Sequence, residues 1–150
     1  MSDYETDLVL WSEKQAALLR RMGAGERVND QVDWENVAEE IDSLGRNHKR
    51  ELRSRLRTIL THLIKLQVSP AVEPRPGWKQ TILRERVEVT ELLEESPSLG
   101  PAVSSVIDQE IGRARTLAAA ELAAFGEQSR SDPAALTYTE AQVLGPWLPD

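Results

Sequence analysis

The sequence predicts an all-α protein: an antiparallel bundle of four main helices, at about residues 4–22, 34–67, 77–95 and 97–125, followed by a short helix or turn near 139–144. Three observations predict it. Apolar residues recur at intervals of three and four through most of the chain, the spacing of one helix face. The runs are separated by Gly- and Pro-containing breaks. No stretch alternates apolar and polar residues as a half-buried strand does.

Each element has its own signals. In residues 4–22, Tyr4, Leu8, Trp11, Gln15, Leu18, Leu19 and Met22 make one apolar face with a single polar member, and Gly23 and Gly25 end it. Asp33 is placed to cap the second helix. Trp34, Ala38, Ile41, Leu44, Leu52, Leu56, Ile59, Leu60, Leu63 and Leu66 then keep helical spacing. SPAVEPRPG, residues 69–77, breaks the pattern with three prolines. From Trp78 a third face carries Ile82, Val89, Leu92 and Leu93. Ser96-Pro97 reads as a cap followed by the first residue of a new helix. That helix carries Val103, Val106, Ile107, Ile111, Ala114, Leu117, Ala118, Leu122 and Phe125 and closes at Gly126. GEQSRSDPAAL reads as loop. Thr139 is placed to cap TEAQVL, and Trp147 and Leu148 to pin the tail on the body.

Gly45 sits in the middle of the longest pattern, and phase decides whether it breaks the helix. With Leu52 at 0° and about 100° per residue, Leu56, Ile59 and Leu63 stay within about 40°. Back through Gly45, Ile41 lies about 20° away, Ala38 about 40° and Trp34 close to 0°. The stripe keeps its phase, so one helix is expected from about Trp34 to Gln67, bent or closely approached at Gly45. Glu35, Glu39 and Asp42, then Arg46, Arg50, Arg53 and Arg57, share one flank, acidic first and basic second, which suits the helix dipole.

Composition bounds the function. A chain of 150 residues is expected to form one domain, 1–150, with a core of its own. The absence of Cys removes disulfides, Cys-ligated zinc and Cys nucleophiles and fits a cytoplasmic setting. No apolar run approaches the roughly 20 residues that span a bilayer, so no membrane is expected. The net charge of −7 argues against general nucleic-acid affinity. It is unevenly spread: residues 1–45 carry −7, 46–65 carry +6 and 66–150 carry −6.

The chemical candidates are few. His48 and His62 are 14 residues apart on one helix, roughly 21 Å along its axis, and cannot share a metal ion. No metal motif, phosphate loop or nucleophile elbow occurs, and no metal or cofactor is expected. His62 falls at the border of the apolar face, where a His bonds a backbone carbonyl or a carboxylate. Glu85, Glu110 and Glu121 fall near the apolar sides of their helices, with Arg113 in reach of Glu110. Arg46, Arg50, Arg53 and Arg57 could grip phosphate oxygens. They could equally match acids of this chain such as Glu88, Glu91 and Glu95.

DWENVAEEIDSLGRNHKRELRSRLRTILTHLIKL, together with YETDLVLWSEKQAALLR, WKQTILRERVEVTELLEESPSL and TEAQVLGPWLP, resembles the bacterial helical family of domains of unknown function numbered twenty-nine, over about residues 4–149. The resemblance implies an all-helical bacterial protein with no assigned activity. It places Asp7, Trp11, Trp34, Glu35, Glu39, Glu40, Gly45, His62 and Trp78 at motif positions. Asn47-His48 and the lead-in PRPGW depart from the pattern, which turns attention from His48 to His62. A polar site, if formed, would join His62 with Glu39 or Glu40, and Asp7 from the first helix.

Three readings follow. The leading one is a non-catalytic cytoplasmic helical interaction module whose partner is another protein or a second copy. The second is a nucleic-acid-associated regulator using Arg46, Arg50, Arg53 and Arg57. The third is an enzyme built on a carboxylate–His site, with or without a metal, centred on His62.

Overall fold

The computed structural model describes residues 2–126 and 129–150, and the described residues are helical with no strand. The α-helices are α1 (Asp3–Thr6), α2 (Leu8–Gly23), α3 (Trp34–Val68), α4 (Arg75–Glu95), α5 (Val103–Ala124) and α6 (Glu140–Leu144). Short 3-10 turns occupy Pro97–Ala102 and Pro133–Ala135. Glu127 and Gln128, part of the loop expected after Gly126, lie outside the described residues.

α3 is one helix through Gly45, as its phase requires. Three boundaries differ from the sequence reading. The first helix divides at Asp7, whose carboxylate accepts the Leu10 N–H and so starts α2 afresh. α4 begins at Arg75, because Pro76 stands in the first turn, where a missing N–H leaves no bond unmade. The helix expected from Pro97 runs as a 3-10 turn to Ala102, with Pro101 inside it, before α5 begins.

Contacts divide the chain into two compact units, Met1–Asn47 and His48–Asp150. In the first, the start of α3 meets α2 antiparallel. Trp11 donates its indole N–H to Asp33, and Tyr4 donates its hydroxyl to Glu40. Gln15, the one polar member of the α2 face, accepts the backbone N–H of Asp33. Hydrogen bonds from Asn36 and from the Trp11 indole hold the Asp33 carboxyl below its ordinary value. Little apolar surface is covered here: Trp11, Val28 and Val32 are its buried hydrophobic residues. Trp34, Ile41 and Leu44, whose spacing matches a core face, are 50%, 62% and 65% exposed, and Leu8 and Leu19 of α2 are exposed too. The apolar stripe of α3 is therefore uncovered along its N-terminal part.

The second unit holds the continuous core. Leu52, Leu56, Ile59, Leu60, Leu63 and Ile64 of α3 pack with Ile82, Val89 and Leu92 of α4 and Val103, Ile107 and Leu122 of α5. Directions follow from cross-contacts. His48 meets Ser96 at the end of α4, while Lys65 meets Trp78 near its start, so α3 and α4 are antiparallel. Arg57 meets Glu110 and Lys65 meets Glu121, so α5 runs parallel to α3. Ser96 caps nothing with its side chain; its hydroxyl is engaged by His48 Nδ1 at 2.8 Å.

The C-terminal segment docks through polar clasps. Thr139 and Gln142 form a capping box on α6. Tyr138 donates its hydroxyl to Gln67, and burial raises its pKa. Arg86 on α4 donates to the carbonyls of Gln142, Val143 and Trp147. Leu148 packs against the core, so the tail is pinned as the sequence suggests.

Candidate functional site

His62 stands near the C-terminal end of α3, half-buried. Its Nδ1 lies 2.8 Å from the Thr58 carbonyl one turn back. A carbonyl only accepts, so Nδ1 carries the proton and Nε2 of the neutral ring is the free base. Burial pushes the imidazole below its ordinary value, and the Lys65 ammonium pushes the same way. The Thr58 bond and the charges of Glu121 and Glu85 oppose that shift. The result is a neutral imidazole at neutral pH.

The acids that act on His62 are already engaged. Glu121 pairs with Lys65, whose ammonium also lies 5.3 Å from the centre of the Trp78 ring. Glu85 pairs with Arg55 at 3.0 Å, and Glu88 meets the same guanidinium at 3.6 Å. The carboxylates named with His62 in the sequence have partners of their own. Asp7 caps α2, Glu40 accepts from Tyr4, and Glu39 pairs with Arg46. Among the described residues no group of three or more His, Asp or Glu is arranged to hold a metal ion.

The arginine stripe divides in two. Arg46 is held by Glu39 and Ser43, and Arg57 by Glu110. Arg50 and Arg53 make no ion pair with a described residue. The residue that reaches Glu88 is Arg55, outside the stripe. Matching within the chain therefore consumes half the stripe, by acids other than the expected Glu88, Glu91 and Glu95.

Glu110 is the most buried acid among the described residues, 1% exposed, and both its oxygens are used: Oε2 by Arg57 at 3.0 Å and Oε1 by Arg113 at 3.1 Å. Arg113 is the neighbour that i,i+3 spacing suggests; Arg57 comes from another helix and carries no spacing signal. Arg86 escaped the sequence reading altogether. It is 7% exposed, has only backbone acceptors, and its Nη1 has no partner among the described residues. Burial lowers its pKa.

A search of curated proteins finds no match. The structure is similar to a crystal structure of an alpha-helical protein of unknown function from Rhodospirillum rubrum, with a TM-score of 0.65 and 26% identity, covering 97% of this chain and 91% of that one. The family described as Domain of unknown function DUF29 matches residues 4–148, nearly the whole length, and the chain belongs to that family.

Proposed function

We propose that the protein is a non-catalytic helical interaction module of the bacterial cytoplasm whose partner is a second copy of itself, seated on the N-terminal half of α3. The observation that carries this reading is the exposure of Trp34, Ile41 and Leu44 on a helix otherwise patterned for burial. Two features bear on what covers this face, the second of which favours another copy of the chain. Gly45 lies beside them, and a Cβ placed there would meet nothing within 4 Å. A helix-interior Gly costs about 1 kcal/mol relative to Ala, and close approach of another backbone offsets that cost. The flank of α3 is also self-complementary on reversal. Glu35, Glu39 and Asp42 precede Arg46, Arg50 and Arg53, so two antiparallel copies set acids against bases, residue i facing j and j facing i.

The acids around His62 are held in ion pairs with Lys65 and Arg55, which favours a role without catalysis. The absence of Cys fits a reducing compartment. Among the described residues no helix is long and apolar enough to cross a membrane.

Sedimentation across the micromolar range tests the reading. A monomer–dimer equilibrium that weakens with salt is expected, and Ile41→Asp with Leu44→Asp should leave a folded monomer. A wild-type chain that stays monomeric at the highest concentrations would eliminate the second copy as partner.

A further inference from the structure

The unmatched cations of α3 border a cleft. Lys49 and Arg53 lie one turn apart, both exposed, and neither pairs with a described carboxylate. Between them and α5 opens a hollow of about 200 Å³. Its polar wall is Lys49, Arg53 and the Gln109 amide, and its apolar floor includes Leu52, Leu99 and Val106. No carboxylate lines it.

Three other hollows differ in this respect. The one beside Lys65 and Trp78 contains Glu121, which already neutralises the lysine. In the one beside Arg57 and Arg113, both guanidinium groups are committed to Glu110. The one beside Tyr138 is lined by Asp108 and Glu140. At Lys49 and Arg53 the positive charge is instead uncompensated and borders apolar surface, and Arg50 on the same two turns adds to it.

We propose that this cleft binds a small amphiphilic anion, with one oxyanion head and one short alkyl tail. The planar fork of Arg53 suits two oxygens of one head, Lys49 supplies a point charge, and the Gln109 amide can donate a further bond. The tail removes the floor of Leu52, Leu99 and Val106 from water. At about 200 Å³ the hollow is smaller than the roughly 300–1,000 Å³ of sites for drug-sized ligands, which limits the tail to a short chain. The charge and the floor act together: a head without a tail leaves the floor wet, and a tail without a head leaves the cations unmatched.

Calorimetric titration of the full chain at low salt, with octanoate, octyl phosphate, octanol and inorganic phosphate as separate probes, tests this. One site per chain is expected for octanoate or octyl phosphate, and the tighter of the two identifies the head. Octanol and inorganic phosphate should bind at least tenfold more weakly. Arg53→Gln and Lys49→Gln, both on the surface, should each weaken the anion by about tenfold, the loss of one charge-assisted contact. Val106→Trp should plug the floor and abolish binding with helicity unchanged. Octanol binding as tightly as the anions, affinity indifferent to Arg53→Gln, or no binding of either anion at millimolar concentration would each overturn the proposal. If Val106→Trp disturbs the fold, the two surface variants still decide it.

Discussion

Arg57 donates its Nε–H to Glu110 over 3.0 Å, and the carboxylate it reaches is almost fully buried. A buried carboxylate is tolerated only when its oxygens are bonded, and here two arginines share the task. Arg57→Ala leaves Arg113 as the sole partner and should lower stability by about 1–3 kcal/mol. Glu110→Leu, which removes the charge and fills the space, should cost less than Arg57→Ala. Urea unfolding of both variants and their double mutant checks this; a costless Arg57→Ala would show the bridge to be idle.

Arg86 ties α4 to the C-terminal segment through three carbonyls. Arg86→Met keeps the stem and loses those bonds, with an expected loss of about 2–4 kcal/mol. Limited proteolysis should then cut after α5 at concentrations that spare the wild type. Arg86→Lys should rescue little, because a compact ammonium does not reproduce the reach of the planar fork. Full rescue by Lys would mean that charge alone holds the segment.

The His62 ring should titrate below its ordinary value of 6.5 in the folded chain. The unfolded chain then takes up its proton at the higher pH, so acidification favours unfolding. The stability that the neutral buried ring supports is present above 6.5 and is lost as pH falls from there toward the folded value. Urea midpoints should drop over that window, and less steeply in His62→Gln, whose amide can still donate to Thr58. An NMR titration placing His62 at or above 6.5 would refute the role of burial.

Gly45→Ala separates the chain from its assembly. A Cβ meets open space within the chain, so the monomer should gain about 0.5–1 kcal/mol from helix propensity. The proposed dimer should weaken, because the added methyl sits where the second backbone approaches. Thermal unfolding at low concentration and sedimentation at high concentration read the two effects apart. Tighter association in the Ala variant would place the contact elsewhere.

How much of this was legible depends on what periodicity measures. It reports the direction of side chains around a helix, and so α3 is continuous through Gly45, as its phase implies. It does not report what lies opposite. Trp34 and Ile41 follow the same rule as Leu56 and Ile59, yet the first pair is exposed and the second buried. His62 sits at the border of the stripe as its angle suggests and bonds a carbonyl, one of the two partners its position allowed. Arg86 was invisible for a specific reason. Its acceptors are backbone oxygens, which leave no trace in residue identity, and they lie 56 to 61 residues away. Arg113 and Glu110 are close in sequence and readable; Arg57 and Glu110 are 53 residues apart and are not.

The distance from Arg86 to its acceptors also bears on synthesis. A chain made from its N-terminus at roughly 5–20 residues per second exposes Arg86 for several seconds before the carbonyls of Gln142, Val143 and Trp147 exist. During that interval the Arg86 guanidinium lacks the three carbonyls that it holds in the folded chain and must take its hydrogen bonds from water. Burial of this one guanidinium therefore waits for residues made well after α4, which ties its desolvation to the arrival of the segment around α6.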